Sequence, residues 1–328
     1  MKASLKIVKG ALLLLFLILS YAAWLLFRPA TEKNGLLRIS GNTNLIQLSD
    51  SLQVQFGLAS PKVFRFAAKL MGYPEPKPCK VPIAEDLSIF DLIRFLKKNS
   101  RQTVNIVLRS GWTPEQMCRY MGSKLESDSA NFFSVLSSHT LSSGKLWPDS
   151  LLPALFIPDT YNFYYAAGAQ DVLQRMASSG MSFWERKRIS PDSAFAVYTL
   201  ASIVEKESQR ADERPTIAGV YLNRLKKGMK LQADPTVNYA LGEWRALFFK
   251  DLSVESPYNT YMYFGLPPGP ICIPSVQAIE SVLNPTPHKY LFFVAKGDGS
   301  GYHRFSETDT EHYRNIALRK KELSASRP

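Results

Sequence analysis

Cysteine and histidine are both scarce in this 328-residue chain, with three Cys and four His. Cys79, Cys118 and Cys272 are widely spaced, odd in number and form no CxxC pair, which excludes a zinc ribbon and a dense disulfide framework and leaves room for one disulfide. His303 and His312, nine positions apart, are too sparse for a His-rich metal site, so no metal is expected. Glycine (18) and proline (21) are too few for a collagen-like or low-complexity chain. No GxGxxG or Walker sequence occurs, which disfavours nucleotide cofactors, and none is expected. Acidic residues are in deficit. The 40 Lys plus Arg against 28 Asp plus Glu leave +12, a balance that favours polyanions or anionic membrane surfaces without identifying either. What is present is apolar content of 45%, enough to bury a core in two domains.

Residues 10–27 form the one long apolar run, GALLLLFLILSYAAWLLF, with no charge. As a helix it covers about 27 Å, just enough to span a bilayer. Lys2, Lys6 and Lys9 precede it and only Arg28 follows closely, so the positive-inside rule puts residues 1–9 in the cytoplasm and the bulk of the chain outside. A secretory signal peptide is the competing reading, because Ser20-Tyr21-Ala22 has small residues at a cleavage-like spacing. The run continues through Trp24, Leu25, Leu26 and Phe27, where a cleavable peptide turns polar, and this favours an uncleaved anchor.

The remainder reads as α+β. Residues 28–36 look like a polar linker. Residues 37–125 form a small α+β module, with strands expected at 36–40 and 103–109 and helices at 63–73, 88–99 and 114–125, the last opened by Thr113-Pro114-Glu115. A Ser-rich stretch at 126–146 is the expected hinge, and 147–328 form a larger domain.

Ser190-Pro191-Asp192 opens a helix read as running through residue 213. At about 100° per residue with Phe195 at zero, Ala196, Leu200, Ile203 and Val204 fall between roughly 80° and 180°, while Thr199, Ser202, Lys206 and Gln209 lie within roughly 40° of zero. Glu207, near 120° on the same scale, falls roughly in mid-stripe, whereas Glu205, at about 280°, sits at the polar edge. A carboxylate facing a core must find partners, line a cleft, or keep its proton through a raised pKa. The last makes a general acid; the structural alternative is a buried pair with Arg214 or Arg224.

Further along stand VYLNRLKKGMKLQADPTVNYALG at 220–242, SPYNTYMYFGLPPGPICIPS at 256–275 and YLFFVAKGDGSGYHRFSETDTEH at 290–312. With LASIVEKESQRADERPTIAGVYLNRL before them, these segments closely resemble the MltG (YceG-like) family of membrane-anchored endolytic murein transglycosylases, over about residues 150–315. The N-terminal half, with its anchor, a LysM-like module and RSGWTPEQM at 109–117, also resembles that family's layout. One departure is Pro153-Ala154-Leu155-Phe156-Ile157 before Pro158-Asp159-Thr160-Tyr161, where the family commonly has an acidic residue.

The resemblance implies cleavage of the MurNAc–GlcNAc β-1,4 bond of peptidoglycan glycan strands to give 1,6-anhydroMurNAc ends, with one carboxyl serving as acid and then base. Glu207-Ser208 is similar to the Glu-Ser pair of other lytic transglycosylases, which makes Glu207 the expected catalytic group. An inner-membrane location with the enzyme domain on the outer, periplasmic side follows from the same resemblance, as does partnership with peptidoglycan synthases. Candidate sugar-binding residues are Glu205, Ser208, Asn223, Arg224, Gln232, Asp234, Thr236, Tyr258, Asn259 and Tyr261, a mixture of rings, amides and carboxyls suited to sugars. Leu266-Pro267-Pro268-Gly269-Pro270 is expected to shape a cleft wall, and 290–305 to form a hairpin on which His303 and Phe305 are structural. Two other functions remain: a non-catalytic, membrane-tethered glycan-binding scaffold, and an ordinary muramidase using Glu207 with Asp234. Nucleic acid is not an expected partner, since only the net charge speaks for it.

Overall fold

The computed structural model describes residues 2–99, 103–138, 141 and 147–325. The chain forms two compact units that interleave in sequence. The first comprises residues 1–105, 124–127 and 162–168, and the second 106–123, 128–161 and 169–328.

The first unit begins with α1 (Lys2–Phe27), whose segment Lys9–Phe27 is long and apolar enough to cross a membrane. There follow β1 (Gly35–Ile39), α2 (Leu45–Phe56), α3 (Pro61–Leu70), β2 (Cys79–Ile83) and α4 (Ile89–Asn99). β1 and β2 pair antiparallel, Leu37 opposite Val81. α2 and β2 are absent from the sequence expectations. Asn44 marks the start of α2 as an N-cap that accepts from the Ile46 and Gln47 backbone N–H groups, with Gln47 completing a capping box. The core gathers Leu37, Leu48, Leu52, Phe64, Val81, Leu92 and Leu96, all essentially inaccessible to solvent.

Within the expected linker at 28–36, two residues enter this core while Pro29 and residues 32–36 are exposed. Ala30 and Thr31 are buried. Their neighbours are woven in by backbone bonds, Ala30 N donating to Leu87 O (2.9 Å), Ala59 N to Ala30 O (3.0 Å) and Glu32 N to Phe56 O (2.8 Å). Thr31 Oγ1 donates to Ala84 O and accepts from Leu87 N. Phe27 meets Phe90 with ring centroids 5.1 Å apart, and Leu26 packs on the core. Polar composition suggested a tether; two small residues, Ala30 and Thr31, and one isolated bridge from Pro29 to Ser88 fasten it to the unit instead.

β3 (Thr103–Val107) pairs with β4 (Thr160–Tyr164). α5 (Pro114–Lys124) starts where Thr113 Oγ1 caps Gln116 N. The expected hinge at 126–146 carries a helix, α6 (Ser129–Ser137), capped by Asp128; residues 139–140 and 142–146 of that hinge lie outside the described residues.

In the second unit come α7 (Ala169–Lys187), α8 (Pro191–Glu207), α9 (Arg214–Lys226), α10 (Asp234–Leu241), α11 (Val276–Leu283), the antiparallel hairpin β5 (Phe292–Ala295) and β6 (His303–Ser306), and α12 (Asp309–Ala325). α8 is the central element and packs against α9, α10 and α11. From Tyr198 to Val204 it is buried on every side: Thr199 and Ser202, expected on a polar face, are as inaccessible as Leu200 and Ile203, whereas Ala196, expected on the apolar stripe, is exposed. The helix also stops at Glu207 rather than at 213. Ser208 is extended (φ −136°, ψ 131°) and its hydroxyl accepts from Arg210 N at 3.0 Å. Pro215, which cannot continue a helix from behind, instead sits in the first turn of α9. The three cysteines are free and buried, so the one disulfide allowed by the sequence is not formed.

Candidate active site

The break after Glu207 decides its surroundings. In mid-helix its side chain would be sealed in the core; as the last residue of α8 it opens onto a cleft of about 460 Å³. Glu207 Oε1 accepts a hydrogen bond of 2.5 Å from the hydroxyl of Tyr221 on α9, and Oε2 has no protein partner among the described residues. Burial raises the Glu207 pKa to about 7; the Tyr221 bond pulls it down, the Asp234 charge pushes it up, and Arg224 pulls it down. The carbonyl end of α8 acts in the same direction as burial. Neither Arg214 nor Arg224 forms an ion pair with it.

Tyr221 is held in turn. It is fully buried, with Phe293 of β5 edge-on to its ring at 5.8 Å. Burial and the adjacent carboxyl push its phenol well up, so it stays a donor. Across the cleft Asp234, the first residue of α10, accepts 2.6 Å from the hydroxyl of Tyr261. Gln232 has φ +52°, in the left-handed region, and is pinned there by Gln232 N donating to Thr260 O (3.1 Å) and by its Oε1 accepting from Arg224 Nη1 (3.3 Å). Arg224 lies beneath this loop, donating to the carbonyls of Leu291 (2.6 Å), Leu231 (2.7 Å) and Lys230 (3.3 Å).

Of the eleven residues expected at the site, Glu207, Arg224, Gln232, Asp234 and Tyr261 line this cleft. The other six hold the scaffold. Glu205 turns to the opposite side and pairs with Arg214 Nη1 (3.1 Å) while accepting from Ser275 Oγ and N. Ser208 caps its own turn, and Asn223 Nδ2 donates to His288 O and Tyr290 O, fixing the approach to β5. Thr236 and Thr260 share a buried hydroxyl contact of 2.9 Å. Asn259 Nδ2 donates to Leu252 O and Val254 O, and Tyr258 packs on Tyr239. The loop 266–270 does not border the cleft; Pro270 instead lines a separate apolar cavity of about 180 Å³ with Met117, Phe156, Tyr198 and Cys272.

Besides the apolar Leu231, Phe293, Val294 and Ala295, sequence reasoning missed four cleft residues with polar groups: Tyr221, counted only as an apolar helix position, and His303, His312 and Arg319 from β6 and α12. His303 was expected to be structural, yet it lines the cleft while its Nδ1 lies 2.8 Å from Glu213 Oε2. Tyr221 stands three positions before Arg224, a spacing that places both on one face of α9 and was a readable signal. The contribution of α12 was not readable, because its polar sequence gives no apolar stripe and none of its residues is fully buried.

The sequence profile of the YceG-like family matches residues 37–318. An endolytic murein transglycosylase of Bacillus subtilis (strain 168) is 37% identical over 167 residues, 49% of this chain and 46% of that protein. One of Streptococcus pneumoniae (strain R6) is 27% identical over 317 residues, 85% of this chain and 57% of that protein. The chain thus spans about half the length of the curated relatives it matches. The crystal structure of a YceG-like protein of Listeria monocytogenes superposes with a TM-score of 0.57 at 26% identity, covering 87% of this chain and 99% of that one. With the profile matched over most of its length, the chain belongs to the YceG-like family.

Proposed function

We propose that the protein is an endolytic murein transglycosylase that cleaves peptidoglycan glycan strands between MurNAc and GlcNAc, with Glu207 as the single general acid and base. The observation that carries this reading is a carboxyl held near pKa 7, with one free oxygen, in a cleft lined by tyrosines and polar side chains. The names of the relatives support the same activity.

Protonated Glu207 gives its proton to the glycosidic oxygen as the C1–O4 bond breaks, and GlcNAc leaves with a 4-hydroxyl. The muramic 6-hydroxyl then attacks C1 and passes its proton to the Glu207 carboxylate, so the acid is regenerated and no water is consumed. Because the attacking group is part of the substrate, its effective concentration is high and no second carboxylate has to act as a base. Tyr221 steadies the carboxylate formed between the two steps. Asp234, whose charge reaches Glu207, stabilises the oxocarbenium character at C1, and Arg224, Gln232 and Tyr261 take up sugar hydroxyls.

The first unit is read as LysM-like, supported by its strand–helix–helix–strand order with antiparallel β1 and β2. The helix Lys9–Phe27 is read as an inner-membrane anchor with its N-terminus cytoplasmic, supported by its length and by Lys2, Lys6 and Lys9. A muramidase is the second reading, favoured by Asp234 lining the same cleft. Incubating the full chain in detergent with purified glycan strands tests both. Anhydromuropeptides by mass spectrometry, lost in Glu207→Gln, are expected. Reducing-end products would make it a muramidase, and no products a tethered scaffold.

A further inference from the structure

We propose that the wall of the cleft built from α9, β6 and α12 is a carboxylate subsite, so that the strand is gripped by an anionic arm of its muramic residues as well as by its sugar rings; this rests on the peptidoglycan reading above. Arg224 is buried to 7% exposure and forms no ion pair among the described residues. Its Nε and Nη1 are spent on main-chain carbonyls and Gln232, which leaves Nη2 without a partner. Glu207 and Asp309 act on it only at a distance, and a buried guanidinium without a carboxylate in direct contact is costly, a cost that an incoming carboxylate relieves.

Arg319 is the second cation. It projects from α12 seven residues after His312, about 20° away around the helix, and both line the cleft. Arg319 makes no hydrogen bond or ion pair among the described residues, although the neighbouring Arg304 is satisfied by Glu322. His312 stacks on Phe292 at 5.2 Å, and Arg224 lies 5.2 Å from the same ring, so one phenyl group ties the α12 wall to Arg224. Its Nδ1 is buried and unpartnered.

His303 supplies a directed donor or acceptor. Glu213 accepts from the His303 backbone N (2.9 Å) and lies 2.8 Å from Nδ1. A carboxylate only accepts, so Nδ1 carries hydrogen and Nε2, with no protein partner, is the nitrogen left for the cleft. Two guanidinium groups without an ion-pair partner on one wall suit a carboxylate, and the His303 ring adds a donor to it only when both its nitrogens carry hydrogen. Glycan strands offer that group from two sources: the lactyl arm of a muramic residue stripped of peptide, or the stem peptide of an intact one.

The test is equilibrium binding to the full-length Glu207→Gln chain, with and without Arg319→Ala, of three strand preparations: peptide-stripped strands, the same strands with lactyl carboxyls converted to methylamides, and peptide-bearing strands. Arg319 is exposed and unbonded, so its removal leaves the fold intact. We expect the neutral methylamide strands to bind about tenfold more weakly than at least one charged preparation, and Arg319→Ala to erase that difference while Arg319→Lys restores part of it. A preference for stripped strands assigns the lactyl arm; a preference confined to peptide-bearing strands assigns the stem. Equal binding of all three, or an equal loss for all three in Arg319→Ala, overturns the subsite. Cleavage by the wild-type chain is scored separately: discrimination without any anhydromuropeptide or reducing-end product keeps the subsite and defeats the enzyme reading, and cleavage without discrimination does the reverse.

Discussion

Two carboxyl groups stand two residues apart at the end of α8 and meet opposite fates. Glu205 faces α11 and is met by Arg214 and by both donors of Ser275, so its charge is balanced within the fold. Glu207 faces the cleft and is met by a single phenol, with burial pushing its pKa up to about 7. Burial alone therefore does not make an acid catalyst. What separates the two is whether a guanidinium arrives with the burial, and here Arg214 went to Glu205.

The largest effect expected from breaking this contrast is on turnover. Glu207→Gln should lower anhydromuropeptide release by about 10³-fold or more, read by mass spectrometry, while Glu205→Gln should keep activity in whatever fraction remains folded. Next in size is the loss of the other carboxyl's partner. Arg214→Ala strands Glu205 at about one-tenth exposure and should cost about 3 kcal/mol in urea unfolding, with Arg214→Met/Glu205→Leu recovering much of it.

The third sharpens the sign of the Glu207 shift. A carboxyl whose folded pKa lies above its unfolded value contributes stability that is complete below about pH 4.5 and is lost as pH rises through about 7. Glu207→Gln removes that dependence, so it should exceed the wild type by roughly 2 kcal/mol at pH 8 and should not do so at pH 4. On the proposed mechanism, glycan cleavage should fall over the same rise in pH, as the acid form is lost. The smallest effect is expected for Tyr221→Phe. Its hydroxyl lowers the Glu207 pKa, so the basic limb of the pH–rate profile should move to higher pH, with a loss of less than about tenfold at the optimum.

Much of this contrast was legible in the residues. Glu207 stood out because a charge sat among Ile203, Val204 and Leu200, although the amphipathic picture behind that reading fails: from Tyr198 to Val204 the helix is buried all round, with Ser202 Oγ donating to Thr199 O and Thr199 Oγ1 left without a partner among the described residues. Helix phase does separate Glu205 from Glu207, and only Glu207 lines the cleft, while the cleft itself comes from the helix stopping, which Pro215 marked and a run free of Gly concealed. Local signals found α3, α4, α5 and the β5–β6 hairpin, where capping residues or β-branched and aromatic runs announce the element. They missed β2, interrupted by Pro82, and α2, whose Asn44 cap was readable. Tyr258, Asn259 and Thr236 had the composition of a sugar site yet serve as internal struts, because composition does not tell a hydroxyl aimed at a ligand from one aimed at a carbonyl.

The interlocked stretch at residues 29–32 carries a mechanical meaning. A tether dissipates torque; a stem that runs directly into Ala30 and Thr31, bolted through Leu87, Ala59 and Phe56, does not. With α1 in a bilayer, as proposed above, its roll or lean would pass through these bonds into the first unit rather than being lost in a slack segment.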